Sequence, residues 1–440
     1  MHRANRRSLA GGVIGTFVEW YDFVIYGLSA PVLAAHFFPK SVPTAALLGT
    51  FAIYAISYFA RPLGGIVFGV VGDRIGRVNT LSTTVLLMGG ATFGTGLLPY
   101  YEQVGIAAPV MLLACRVLQG FSAGGETSGG FTYVIECAPK HRRGLWVSFG
   151  ICAAVLPAVL VSLTILLVKA VIGSDDYFEW GWRLPFLCGG LLSLVGLWLR
   201  RSLQDSDEFA LAAFQRIRGV GPRHRIKAST TLVSTILIAV QAVSGPLLVS
   251  YMYSYLTQVS KLSASTAMKT NIAAVLLLVI ALPCFGALSD RIGRKAMMVC
   301  GGFWLVLTAY PAMSLVSSGT VWSAFAGQAL IAIGHAMFGA GGFVAVLELL
   351  PTSVRYTGHA ISYNMAYAIF GGTAPIVFQT LVTTVGTPTA PSYYVIAIAA
   401  LALIVIRFTP ETQNVHLRDA VEAESQTDNR PGKGPVHVSQ

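Results

Sequence analysis

The chain has 440 residues, of which 54% are hydrophobic and 11% charged, with a mean hydropathy of +0.66. A soluble domain carries roughly a quarter charged residues, and a disordered chain needs low hydrophobicity with high charge, so both classes are excluded. The formal charge of +11 sits in short basic clusters between apolar runs, a pattern of membrane spans and not of a nucleic-acid binder.

Spans of about 20 apolar residues are predicted at 9–36, 44–71, 80–98, 106–137, 144–171, 184–201, 230–258, 266–288, 296–316, 321–349, 357–386 and 391–408. The opening MHRANRRSLAGGVIG starts basic and turns apolar like a signal peptide. Glu19 and Asp22 interrupt that run, which continues to Ala35 without a cleavage site, so an uncleaved first helix is predicted. With the N-terminus inside, 23 Lys and Arg fall on the cytoplasmic side against 5 outside, which predicts a multi-pass protein of the plasma (inner) membrane with both termini cytoplasmic. The polar segment 202–229 divides the spans six and six. The expected units are a first half (1–201), this linker, a second half (230–409) and a disordered cytoplasmic tail (410–440). The six cysteines show no C-x-x-C spacing and read as inert core thiols. No metal-ligand set and no pattern of nucleophile, base and oxyanion hole is present, so neither an enzyme nor a cofactor is expected.

The two halves repeat. GVVGDRIGR at 69–77 matches GALSDRIGR at 286–294, and GGFTYVIECAPKHRR at 129–143 matches GGFVAVLELLPTSVR at 341–355. The second match pairs Glu136 with Glu348 and Arg143 with Arg355, and Pro157 likewise pairs with Pro375. The expected fold is therefore all-α, twelve transmembrane helices in two pseudo-symmetric six-helix halves, as in secondary transporters built from parallel repeats.

The motif G-x-x-x-D-R-x-G-R after the second span, its copy after the eighth, and Arg116-Val-Leu-Gln119-Gly120 in the fourth resemble the signature of the major facilitator superfamily. Within it, VEWYDFVIYG, FARPLGG, QGFSAGGE, EWGWRLPF, LRRSLQDSDEF and FGGTAP together resemble the metabolite:proton symporter family, over about residues 9–410. The resemblance implies the major facilitator fold and carriage of a metabolite such as shikimate, 2-oxoglutarate, citrate, proline or betaine together with protons. Family members that sense osmolarity carry a long coiled-coil tail; this tail has no heptads, which counts against an osmosensor.

Ionisable groups inside spans are costly, so each is a functional candidate. Counted at 1.5 Å per residue, Glu19, Asp22, Arg61 and Glu126 share a level near the midplane, and Arg116 lies nearer the outer mouth. Glu19 and Asp22, three residues apart on one face with Tyr26, read either as proton-coupling carboxyls, Asp22 foremost, or as a static tie to Arg61. Glu126 reads as a third proton site or as a partner of Arg61. Arg116 and Gln119 lie on one stripe of the fourth span, where a guanidinium is suited to grip a carboxylate or to tie down a neighbouring backbone. In the second half His335, Gln241, Tyr251, Tyr363 and Asn364 are further candidate contacts, and Pro375 is expected to kink the eleventh span. Asp73 and Asp290, flanked by Arg74, Arg77, Arg291 and Arg294, are expected to cap the eleventh and fifth helices respectively. With Glu136, Arg143, Glu348 and Arg355 they would form a cytoplasmic gate. The leading functional reading is proton-coupled import of a small organic acid by a monomer. A zwitterion such as proline or betaine is the alternative, and a transporter-fold sensor would need a signalling domain for which 440 residues leave no room.

Overall fold

The structure, a computed structural model, describes residues 3–39, 43–75, 77–124, 127–201, 227–350, 354–413 and 415; within these, 3–14, 69–81, 127–129, 133, 137, 199–201 and 356 are described as backbone alone. Most of the linker and the tail from 416 onward thus lie outside the described residues, as do Glu126 and the side chains of Asp73, Arg74 and Arg77.

Among the described residues, twelve long helical stretches follow one another in chain order. They are α1 (Arg3–Phe37), α2 (Pro43–Ile75), α3 (Arg77–Leu97), α4 (Ala107–Ala123 with Thr127–Cys137), α5 (Arg143–Ile172) and α6 (Arg183–Arg201). The second set is α7 (Ala228–Pro246, continuing to Gln258), α8 (Ala264–Ile292), α9 (Arg294–Ser317), α10 (Val321–Leu349), α11 (Arg355–Ala366, continuing to Val385) and α12 (Pro391–Arg407). Helices are the economical answer to a lipid solvent, since each satisfies its own backbone polar groups. Among the described residues seven are long and apolar enough to cross a bilayer, with mean hydropathy from 1.4 to 2.8. An eighth span arises when Ser174–Gly181 is joined to α6 across a 57° bend. Local signals set the ends. Ser263 Oγ accepts the Thr266 N–H at the start of α8, and Thr320 Oγ1 accepts the Ser323 N–H at the start of α10. Gly293, at φ 102°, turns the chain between α8 and α9 in a conformation that a side chain would strain.

Two interruptions shape the middle of the bundle. In α7 a π turn spans Leu247–Tyr251 directly after Pro246, and in α11 another spans Tyr367–Gly371. The break in α11 thus begins well before Pro375, which stands at the start of the restarted helix Ala374–Val385. Both turns lie on the seam between the halves, where α1 and α2 meet α7 and α11, and where α5 runs along α8. The cysteines depart from the expectation of a core position. Of those described, only Cys152 is buried, Cys115 is intermediate, and Cys188, Cys284 and Cys300 are exposed on the outside of the bundle. The physical reason is that an apolar thiol needs no core when the solvent is hydrocarbon.

Candidate functional site

At the centre of the seam lies a small cavity of about 30 Å³, room for roughly two water molecules. Its walls come from both halves: Trp20 and Phe131 on one side, Gln241, His335, Phe343, Tyr363 and Tyr367 on the other. Five of these are aromatic, and no permanently charged side chain lines the space. Two polar atoms on the wall have no hydrogen-bond partner, the Trp20 indole N–H and Gln241 Oε1. Two other polar groups on the wall are fixed: Gln241 Nε2 donates to the His335 carbonyl at 2.8 Å, and His335 Nδ1 lies 2.8 Å from Ser244 Oγ. Trp20 stacks edge-on to Tyr367 with centroids 5.5 Å apart, closing the cavity across the seam.

Of the side chains predicted to touch substrate, Gln241, His335 and Tyr363 line this cavity. Arg61, Arg116, Gln119, Tyr26, Asn364 and Tyr251 do not, and their surroundings explain why. Arg116 is fully buried within the first half, with its guanidinium carbon 4.3 Å from the Tyr26 ring and 4.9 Å from Phe23. It donates to Gln119 Oε1 at 2.7 Å and to the Asp22 backbone carbonyl at 3.3 Å, while Gln119 in turn donates to Thr92. Ring faces and a carbonyl thus hold the arginine in place of the open cavity expected for it. Tyr26 donates to the Thr50 carbonyl, Asn364 reaches across the seam to the Gly124 carbonyl at 3.2 Å, and Tyr251 donates to Gln379.

Behind Trp20 lies a carboxylate and arginine cluster. Glu19 forms an ion pair with Arg61 at 3.2 Å, both fully buried, and Arg61 also faces Phe23 at 4.1 Å and Tyr58 at 4.5 Å. Asp22, one turn along α1, is buried and neither carboxylate oxygen makes a hydrogen bond among the described residues. Arg61 and Arg116 both keep guanidinium nitrogens without hydrogen-bond partners. The cluster therefore places a carboxyl held in an ion pair and a carboxyl outside any ion pair one turn apart on α1.

At the end of the bundle that bears the chain termini, Asp290 lies against the start of α5, accepting from the Gly144 and Leu145 N–H groups at 2.8 and 2.9 Å and from Arg294 at 2.8 Å. The repeated Glu and Arg residues pair across the halves: Arg143 with Glu348 at 3.4 Å, and Arg355 with Glu136 at 3.1 Å. Arg294 joins Glu348 at 3.3 Å, and Arg291 is exposed. The chain beyond α12 folds over this network. Glu411 accepts the N–H groups of Arg294 and Lys295, Thr412 donates to Glu348, and Arg143 donates to the Val415 carbonyl at 2.8 Å.

Trp20, Phe131, Phe343 and Tyr367 were not singled out by sequence reasoning. Trp20 sits inside the VEWYDFVIYG segment beside Glu19, and that adjacency was the available signal.

The profile of the Sugar (and other) transporter family matches residues 10–218 and 223–423. The proline/betaine transporter of Salmonella typhimurium is 33% identical over 435 residues, covering 96% of this chain and 86% of the relative. The glycine betaine/proline/ectoine/pipecolic acid transporter of Dickeya dadantii is 33% identical over the same shares. Among solved structures, the proton:xylose symporter XylE aligns with a TM-score of 0.77 over 96% of this chain and 99% of that one, at 17% identity, a likeness of fold. The chain accordingly belongs to the sugar (and other) transporter family, a membrane transporter of the major facilitator fold on its metabolite:proton symporter branch.

Proposed function

We propose that the protein is a proton-coupled symporter importing a small zwitterion, a carboxylate joined to an alkylated ammonium as in proline or betaine. The observation that carries this is the central cavity, five aromatic rings with no permanently charged side chain. Alkylated ammonium groups sit favourably on ring faces, and a net-neutral substrate avoids the cost of an unpaired anion in a dehydrated site. The unused Trp20 N–H suits the carboxylate, and Gln241 Oε1 would accept from an ammonium N–H. The names of the Salmonella and Dickeya relatives point the same way. This moves the emphasis from a plain organic acid to the zwitterion. Asp22 carries the coupled proton, because it is the buried carboxyl without a hydrogen bond, and Glu19 holds Arg61. The carrier works as a monomer in the inner membrane with its termini cytoplasmic, and the charged end of the seam is the cytoplasmic gate, to which Asp73, Arg74 and Arg77 contribute, while Glu126 stays a further candidate for the proton site.

A second reading, an organic anion, is favoured by the unused guanidinium nitrogens of Arg61 and Arg116. Uptake into proteoliposomes under an imposed pH gradient separates the two, using proline, betaine, shikimate, 2-oxoglutarate and citrate. Accumulation of proline or betaine is expected, with Asp22→Asn losing accumulation against a gradient while keeping exchange. Accumulation of an organic anion alone rejects the zwitterion. In that case Arg116→Lys should weaken affinity by about 1.5–3 kcal/mol, the worth of a charge-assisted bond.

A further inference from the structure

His359 is a second buried histidine on the seam, unlike His335 in one respect. It has no solvent exposure, and neither ring nitrogen has a hydrogen-bond partner. Its neighbours are rings: Tyr363, stacked at 5.6 Å, Phe131 at 6.2 Å and Phe343 at 6.4 Å. Those same three rings form part of the central cavity wall, so His359 lies directly behind it. On its other side, one turn back along α11, Arg355 donates to Glu136 of the first half and belongs to the ion pairs that close the terminal end. The histidine therefore stands between the cavity and that gate.

The fold does not require a polar group here. The repeat that pairs Arg143 with Arg355 has an offset of 212 and places Val147 at the position equivalent to His359. Val147 is fully buried in α5. An apolar side chain fills that place without leaving a donor and an acceptor unmade, which is an unfavourable arrangement in the closed state. A polar group that gains nothing in the closed state has its use in the open one. When the halves part at the terminal end, the ion pairs separate, and His359 lies directly behind the rings with both ring nitrogens uncommitted.

We propose that His359 is a release-side binding residue, taking over the carboxylate of the outgoing substrate through an imidazole hydrogen bond as the terminal end opens. This rests on the reading of the substrate as a small carboxylated zwitterion. The ammonium end would still face Tyr363 and Phe343 while the carboxylate moves from the Trp20 side to His359, so the substrate leaves in two short steps.

The test uses the full chain in proteoliposomes of known orientation, measuring half-saturation for exchange of proline and betaine at each face. His359→Phe should raise half-saturation at the terminal-end face about tenfold, the loss of one hydrogen bond to a charged group. The opposite face should be unchanged, and thermal stability should be at or above that of the wild type. His359→Gln, which restores a donor, should recover most of the affinity. Unchanged values at both faces, an equal rise at both, or a loss of thermal stability that Gln does not repair would each overturn the proposal. If wild type exchanges neither proline nor betaine, the zwitterion reading has failed, and the same comparison of faces with the organic acid that it does exchange decides the role of His359.

Discussion

The halves meet at the terminal end through Asp290, Glu348, Glu136, Arg143, Arg294 and Arg355, whereas at the opposite end they meet through glycine, serine and rings. There a Cβ on Gly27 of α1 would lie 2.6 Å from Ser250 Cβ of α7, Tyr54 and Ser250 hydroxyls lie 3.2 Å apart, and Phe51 faces Tyr251 at 5.8 Å. One closure is directional and charged, while the other depends on volume. The two should therefore respond to different perturbations, and a carrier that opens its ends in turn can tune each without disturbing the other.

The charged end offers the largest lever. Glu348 is fully buried and serves Arg143, Arg294 and Thr412 together, so Glu348→Gln leaves two arginines without their carboxylate. Removing one partner of a buried pair costs about 3–5 kcal/mol, and the population should move more than a hundredfold toward a parted terminal end. Distances between spin labels on α5 and α8 would record it. At the packed end Gly27→Val should obstruct closure at about 1–3 kcal/mol, the range for overpacking, with labels on α1 and α7 reading the separation. If Gly27→Val opened the charged end instead, the two closures would not be independent.

Asp290→Asn is expected to be milder, because the amide oxygen still accepts one N–H from α5, although the second acceptor oxygen and the charge facing Arg294 are lost. The helix-end interaction amounts to about 0.3–1 kcal/mol, or roughly 2 when partly buried. The same pair of labels on α5 and α8 should then shift several-fold and not completely.

Glu411 gives the smallest effect and a defined sign. Burial pushes its pKa up toward the neutral form, yet the N–H groups of Gln413, Arg294, Lys295 and Thr412 outweigh that and hold it below the usual carboxylate range. A carboxyl depressed on folding stabilises above its unfolded value of about 4.3 and loses that contribution as pH falls through the folded value. Docking of the segment after α12 should therefore be intact at neutral pH and weaken in acid. Hydrogen exchange of the Arg294 and Lys295 amides should quicken in acid, and Glu411→Gln should reproduce this at neutral pH.

Helix positions were legible because apolar length is written locally: α10 was predicted at 321–349 and observed as Val321–Leu349. The π turns were not, since Leu247–Tyr251 and Tyr367–Gly371 are as apolar as any span and differ only in hydrogen-bond register. Buried charges announced themselves by rarity, and the tie of Glu19 to Arg61 stood among the expected alternatives, but other partners were not legible. Nothing in the spacing of Glu136 and Arg143 reveals that each pairs with the other half, and nothing in Arg116 reveals that Tyr26 and Phe23 cover it. Trp20 escaped notice because an aromatic residue in an apolar helix is unremarkable until the cavity beside it is known.

The short stretch past α12 bears on how the protein is handled at the bench. Trimming the polar tail back to Arg407 would remove Glu411 from the start of α9 and strip Arg143 of the Val415 carbonyl, altering the working cycle in a preparation meant to be neutral. A purification tag or fluorescent fusion joined beyond Val415 keeps those contacts and reports on the native carrier.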